Sequence, residues 1–143
     1  MNFLNRMQPF ALLLMRLTLG AIMIVHGYRE ILGGFHSHRV VAASLGLPAW
    51  MAYLSASAEL AGGVAMVLGV LTRFVALAML VEMAVVIAKA HWKNLVGPGG
   101  YEFPLVLATL AFALLCYGGG PYALSSGKRT ASVRKMPRSR RAA

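Results

Sequence analysis

The chain has 143 residues, of which 59% are hydrophobic and only 13% are charged, and its mean hydropathy is +0.68. An ordinary soluble domain has about 25% charged residues, so this composition places the chain, as a single domain, in the membrane class. A net charge of +10 would suggest a nucleic-acid partner if it were spread over a folded surface, but seven of the 14 basic residues are confined to the segment from Lys128 to Arg141, which argues against one. A single cysteine, Cys116, excludes an intramolecular disulfide and exchange through a dithiol of the chain's own.

The first membrane-spanning segment is predicted from Pro9 to about Leu32, with Pro9 in the first helical turn. A secretory signal peptide is the competing interpretation. It is rejected because Arg16 interrupts the apolar run and no small-residue cleavage pattern follows Val25. Arg16 and Glu30 share one stripe of the predicted helix, and His26 flanks that stripe.

Residues 35–49 are too apolar to form a plain linker. The pattern predicts a short helix from Arg39 to Leu45 that lies in the membrane interface and is closed by Gly46. His36 and His38 form an H-x-H pair, but no obvious third ligand accompanies them. No metal site is therefore predicted.

The second spanning segment, Trp50 to Leu71, contains 22 residues, enough for roughly 33 Å of helix, and Glu59 is the only charge in it. A charge at this depth costs up to about 3 kcal/mol and needs a partner or a function. Small or slightly polar residues share the helix face of Glu59: Ala52, Ser55, Ala56, Gly62, Gly63 and Met66. This face is predicted to point into a helix bundle, since small residues allow close helix approach. Two interpretations stay open: a functional polar cluster, or a protonated glutamate that only bonds across helices.

A third helix is predicted from Thr72 to His91, with Thr72 as its N-cap and Glu82 near mid-span. The connection before it is only a few residues long, so the second and third helices are expected to pack antiparallel. Trp92 is expected to anchor the following turn at the interface. The fourth helix is predicted to open at Tyr101 and Glu102, with Pro104 in its first turn, and to end at Gly118.

These segments predict an all-α integral membrane protein, an antiparallel bundle of four transmembrane helices. Residues 1–126 would form the bundle, and residues 127–143 a disordered basic tail. Nine basic residues (Arg6, Arg73 and the seven of the tail) fall on one side of the membrane, and four (Arg29, Arg39, Lys89 and Lys93) on the other. By the positive-inside rule, the sequence predicts a multi-pass protein of the cell (inner or plasma) membrane with both termini cytoplasmic.

Counting 1.5 Å per residue along each helix puts Arg16 about 10 Å, Glu82 about 13 Å and Glu59 about 18 Å from the cytoplasmic end. We therefore expect Arg16 to pair with Glu59, with Glu82 as the second acceptor. A second polar group is predicted at the outer end: His26, Arg29, Glu30, Lys89, His91, Tyr101 and Glu102. The alternative is that some of these side chains, Lys89 above all, belong to no site and only extend their charged ends to the membrane interface.

Several short motifs follow one another in a characteristic order: R-L-x-L-G at residues 16–20, H-G-Y-R at 26–29, L-G-L-P at 45–48, A-E-L-A-G-G at 58–63, L-G-x-L-T-R at 68–73, and G-Y-E at 100–102. In this order and spacing the chain resembles the DoxX family of small bacterial and archaeal membrane proteins, over roughly residues 10–126. The family's usual closing motif ends in an aspartate that GGGPYALSSGK lacks, and Glu82 departs from the commoner apolar residue. The charged positions that the resemblance implies are Arg16, Arg29, Glu59, Arg73, His91 and Glu102.

The resemblance implies a quinone-linked or sulfur-metabolising redox subunit of the membrane, although most family members have no established reaction. The sequence shows no haem-ligand pair and no flavin or nucleotide fingerprint, so chemistry would need a bound quinone or another subunit. Two other functions stay open: an accessory protein that scaffolds redox partners, and a small proton-coupled carrier using Glu59 and Glu82. The partners expected are the lipid bilayer and redox proteins or further copies of the chain. Whether the chain is itself an enzyme is left open.

Overall fold

A computed structural model of the chain describes residues 2–44, 46–91, 94–97 and 100–126. Every regular element in these ranges is helical. In chain order they are α1 (Asn2–Leu32), α2 (His36–Ser44), α3 (Trp50–Leu68), α4 (Thr72–Val86), a π-helical turn (Ile87–His91) that continues α4, α5 (Glu102–Tyr117) and a 3-10 turn (Leu124–Ser126). The predicted basic tail, residues 127–143, lies outside the described part of the chain.

Two of the described helices are long and apolar enough to cross a membrane: α1, from Phe3 to Leu32, and α3. α5 is apolar but has only 16 residues. α4 has 15 residues, and the π-helical turn extends the helical path to His91. Length and composition thus identify two of the four predicted spans.

The predicted start of the first helix at Pro9 is wrong, because α1 begins at Asn2 and Pro9 lies inside it. Proline lacks one N–H and so removes a single backbone hydrogen bond. The apolar residues Phe3, Leu4 and Met7 continue the helix on the N-terminal side of the proline, and they are exposed. α1 is therefore about 46 Å long, longer than the hydrocarbon core of a bilayer.

The predicted short helix of the 35–49 segment is confirmed as α2, which begins at His36, three residues before its expected start. Gly46 follows it with a φ of +70°, a left-handed conformation that glycine adopts without strain. Phe35 packs its ring against Tyr53 of α3 at a centroid distance of 4.6 Å. α2 itself also contacts α3, and its Ala42 lines a cavity together with Met51 and Ala52 of the first turn of α3.

The turn between α3 and α4 differs from the expected one. α3 ends at Leu68 with Gly69 in the left-handed conformation, and the Val70 N–H donates to the Ala65 carbonyl in a Schellman-type closure. Thr72 was expected to be the N-cap of the next helix, but that position belongs to Leu71, which has a φ of +50°. Thr72 is instead the first residue of α4 and is buried.

α1 packs most closely on α3, through glycines. A Cβ built on Gly20 would lie 2.8 Å from the Gly63 carbonyl oxygen, and one on Gly27 would lie 2.6 Å from the Leu60 nitrogen. The two helices run in opposite directions along this contact, because the later residue of α1 meets the earlier residue of α3. The glycines let the two backbones touch and so set the register of α1 against α3.

α4 packs mainly on α5, and its contact with α3 is less extensive. A shared core of buried residues joins these helices to α1: Leu19, Met23, Met66, Ala76, Met79, Met83, Leu107, Ala111 and Leu114. Because α3 and α4 touch less, space remains beside this core, between α3, α4 and α2.

Candidate functional site

A cavity of about 310 Å³ lies between α2, α3 and α4. Its walls are mostly apolar, and three of the lining residues are polar: Ser55, Glu59 and Glu82. Leu54 and Val81, which also line the cavity, are each more than half exposed. The cavity therefore opens sideways, on the outer surface of the helices rather than at their ends.

The three polar residues of the cavity form one hydrogen-bonded group. The Ser55 hydroxyl donates to Oε1 of Glu82 across the gap between α3 and α4. Glu59, one turn after Ser55 on α3, shares a side-chain hydrogen bond with Glu82. A hydrogen bond between two carboxyl groups needs a proton on one of them. The group can therefore hold a proton inside an apolar cavity.

Glu59 is buried, and its Oε2 atom makes no hydrogen bond to the described residues. A buried polar atom without a partner is costly, so such an atom beside a cavity is a reason to look for a ligand. Glu59 also interacts electrostatically with Glu30 of α1. The carboxyl groups of three helices therefore influence one another around Glu59.

The expected pairing of Arg16 with Glu59 is wrong. The guanidinium of Arg16 donates through Nη1 to the Gly119 carbonyl at 2.7 Å, and through Nη2 to the carbonyls of Val67 at 3.2 Å and Tyr122 at 3.3 Å. Glu59 lies eight residues before Val67, about 12 Å away along α3. The depths estimated from the sequence were wrong for two reasons. They counted α1 from Pro9, although it begins at Asn2. The relative heights of α1 and α3 are also set by the glycine contacts and not by where each apolar segment begins.

Arg16 therefore has a structural setting different from the one expected. It is 2% exposed and joins the C-terminal end of α3 to the loop that follows α5. The carbonyls at a helix C-terminus carry partial negative charge, which suits a cation. These carbonyls accept hydrogen bonds from Arg16 and so take the place of the carboxylate that was expected to pair with it.

The outer polar group is only partly brought together. His26 of α1 lies beside Phe103 at a ring-centroid distance of 5.9 Å, and its Nδ1 is 3.0 Å from the Ile22 carbonyl oxygen. Arg29, Lys89 and Glu102 are exposed, and Tyr101 is half-buried at the start of α5. The backbone of His91 lies in the π-helical turn. Apart from the contacts of His26, the described part of the structure does not bring these residues together into a site.

Ser55 is the residue that sequence reasoning undervalued. It was grouped with small residues on the Glu59 face, although a hydroxyl four residues before a buried acid can bond to an acid on the next helix. The i, i+4 spacing of Ser55 and Glu59 was the available signal. No sequence pattern indicated that α2 would help to close the cavity through Ala42.

Comparison with known proteins identifies the family that the sequence motifs resemble. A family model described as DoxX matches residues 11–92. The chain is 32% identical over 115 residues to a Bacillus subtilis (strain 168) protein named "Putative oxidoreductase CatD", covering 78% of this chain and 83% of that protein. No solved structure gives a significant match.

Proposed function

Since the chain belongs to the DoxX family of membrane proteins, we propose that it is a membrane oxidoreductase subunit whose α3–α4 cavity binds the ring of a quinone. The name of the Bacillus subtilis relative supports an oxidoreductase rather than a carrier. The proposal includes the four-helix transmembrane bundle, with α1, α3, α4 with its π-helical turn, and α5 as the spans. It also includes cytoplasmic termini, argued from the distribution of basic residues.

The proposal rests mainly on one observation. The wall of an apolar cavity that opens sideways contains one hydrogen-bonded cluster of polar side chains, Ser55, Glu59 and Glu82. Ligand sites in proteins are mostly apolar, with a few placed polar groups that orient the ligand, and begin at about 300 Å³. A quinone ring is flat and apolar, with carbonyl oxygens that accept hydrogen bonds. The walls would hold the ring, and a protonated carboxyl of Glu59 or Glu82 would donate to a carbonyl oxygen. The sideways opening would let an isoprenoid tail lie outside among lipid chains.

A bound quinone supplies two-electron chemistry coupled to two protons. The Glu59–Glu82 pair would hold one proton at a time, so it would deliver the two in turn and be reprotonated between them. Ser55 fixes the carboxyl of Glu82 from the facing helix, and Glu82 holds Glu59 by their hydrogen bond. Glu59 lines the cavity, and its Oε2 makes no hydrogen bond to the described residues. We assign the supply of electrons to a partner protein, in line with a subunit role.

The test is quinone binding by the purified full-length protein, measured by mass spectrometry of its lipid extract and by titration with a short-chain quinone. We expect wild-type protein to retain quinone, and Glu82→Leu to lose most of it. Ala78→Trp, which fills the cavity and leaves both acids in place, should have the same effect. The matched controls are Glu102→Gln, an exposed acid outside the cavity, and Leu77→Trp, an exposed position of α4 that does not line it.

Equal quinone binding by all four variants would contradict the assignment of this cavity. The two other functions have their own signatures. A wild-type protein that binds no quinone but captures membrane redox proteins would be an accessory scaffold. Proton-driven uptake into proteoliposomes that depends on Glu59 would indicate a carrier.

A further inference from the structure

A second cavity, of about 330 Å³, lies at the other end of the same helices, beside the α3–α4 turn and the loop after α5. Its lining contains Arg73, Thr72 and Ser125 among apolar and glycine residues: Leu71, Phe74, Tyr117, Gly118, Gly119, Gly120 and Ala123. From this cavity we infer a binding site for the phosphate group of an anionic phospholipid. The inference is independent of the quinone proposal.

The charge around this cavity is positive and not compensated by acids. Arg73 is exposed there, and its Nη2 donates to the Cys116 carbonyl at 3.1 Å, which holds the guanidinium at the end of α5. Arg16 lies behind the cavity wall, bonded to the carbonyl of Gly119. A guanidinium is the side chain best suited to phosphate oxygens.

The chain has only four acidic residues, and all of them are distant from this end. Glu59 comes ten residues before Gly69, and Glu82 comes ten residues after Thr72, so each lies about 15 Å along its helix from the turn. Glu30 and Glu102 lie at the opposite helix ends, at the end of α1 and the start of α5. None of these acids therefore balances the charge of Arg73, and an anion bound here would come from outside the chain.

Two further donors converge on the same cavity. The N-terminus of α4 has no side-chain cap, because Leu71 holds the cap position, so the positive end of the helix is open to an anion. Thr72, 3% exposed, also lines the cavity, and its Oγ1 makes no hydrogen bond to any described residue. A buried hydroxyl without a partner points independently to a ligand.

The rim of the cavity favours a lipid over a free ion. Phe74 and Tyr117 are 73% and 74% exposed, and Leu71 is 61% exposed. Apolar side chains around a cationic pocket match a headgroup phosphate that continues into acyl chains, and basic pockets between membrane helices bind such headgroups. Free phosphate shares the polar chemistry but gains nothing from this rim.

The experiment uses the full-length protein in neutral detergent and follows its unfolding temperature during titration with phosphatidylglycerol, phosphatidylcholine or inorganic phosphate. We expect phosphatidylglycerol to raise the unfolding temperature in a saturable manner and the other two to have little effect. Arg73→Gln should raise the half-saturating phosphatidylglycerol concentration by about tenfold or more. Arg6→Gln, which removes an exposed arginine outside the cavity, should leave it unchanged.

A second variant protects the test if Arg73→Gln fails to fold. Tyr117→Glu places a negative charge at the exposed rim and should weaken the binding of phosphatidylglycerol to a similar extent. If both variants respond like wild type, the stabilisation comes from elsewhere, such as the basic tail, and the site is refuted. If inorganic phosphate alone reproduces the whole shift, the anion site stands and the lipid assignment is overturned.

Discussion

Arg16 shows how a single buried charge can be satisfied without a counter-ion. Its guanidinium donates to three backbone carbonyls that belong to α3 and to the loop after α5. Removing the side chain would leave these carbonyls to find other donors in a buried place. Arg16 is therefore a clamp between two chain segments that are 51 to 106 residues from it in sequence.

Replacing Arg16 by Met should lower the free energy of unfolding by about 2–4 kcal/mol, because hydrogen bonds to charged groups are strong and unpaired buried carbonyls are costly. Chemical unfolding of the detergent-solubilised protein measures the change, with Arg6→Met as an exposed control. A combined Arg16→Met and Glu59→Gln variant should show additive losses to within about 0.5 kcal/mol. A double variant more stable than the sum would show that the two side chains do touch.

At the scale of helices, the α1–α3 contact depends on neighbouring glycines that differ in what surrounds them. A Cβ on Gly63 would lie 2.8 Å from the Gly20 carbonyl oxygen and 2.8 Å from the Ile24 nitrogen, both of them backbone atoms. A Cβ on Gly62 would meet only side-chain atoms, of Val75 at 3.3 Å and Met79 at 3.4 Å. Gly63 therefore lies in the backbone contact with α1, whereas Gly62 faces side chains of α4.

Gly63→Ala should destabilise the protein by about 1–3 kcal/mol, since the backbones must separate. Gly62→Ala should be close to neutral, because alanine favours a helix by up to about 1 kcal/mol over glycine. Thermal unfolding of the two variants side by side provides the comparison. Equal losses would mean that helix propensity or lipid contact, and not backbone approach, decides the outcome.

The helices themselves were largely predictable from local patterns. The start of α3 at Trp50 and the bounds of α5, with Pro104 in its first turn, are confirmed. The start of α1 was missed because a proline near a helix start removes only one hydrogen bond and does not end the helix, and the cap of α4 because Leu71 has a positive φ that no local pattern indicates. The cavity was not predictable either, since it results from the looser α3–α4 contact and from α2 lying beside it.

At the scale of the whole molecule, orientation in the membrane remains a prediction. A reporter fused after Ala143 should be cytoplasmic, and one inserted near Ser37 should be external, because nine basic residues face four across the membrane. Paired activity reporters, one active inside and one outside the cell, measure this. An external C-terminus would place the second cavity, beside the α3–α4 turn, at the outer side of the membrane.

Photocrosslinking can show whether the cavity lined by Ser55, Glu59 and Glu82 holds a quinone ring, as we propose. A quinone with a photoreactive ring would be bound to the full-length protein, irradiated, and mapped by peptide mass spectrometry. We predict labels within residues 51–59 and 78–86, suppressed by excess unlabelled quinone and lost in Ala78→Trp. Competed labels confined to α1 or α5 would show that the quinone binds elsewhere and not in this cavity.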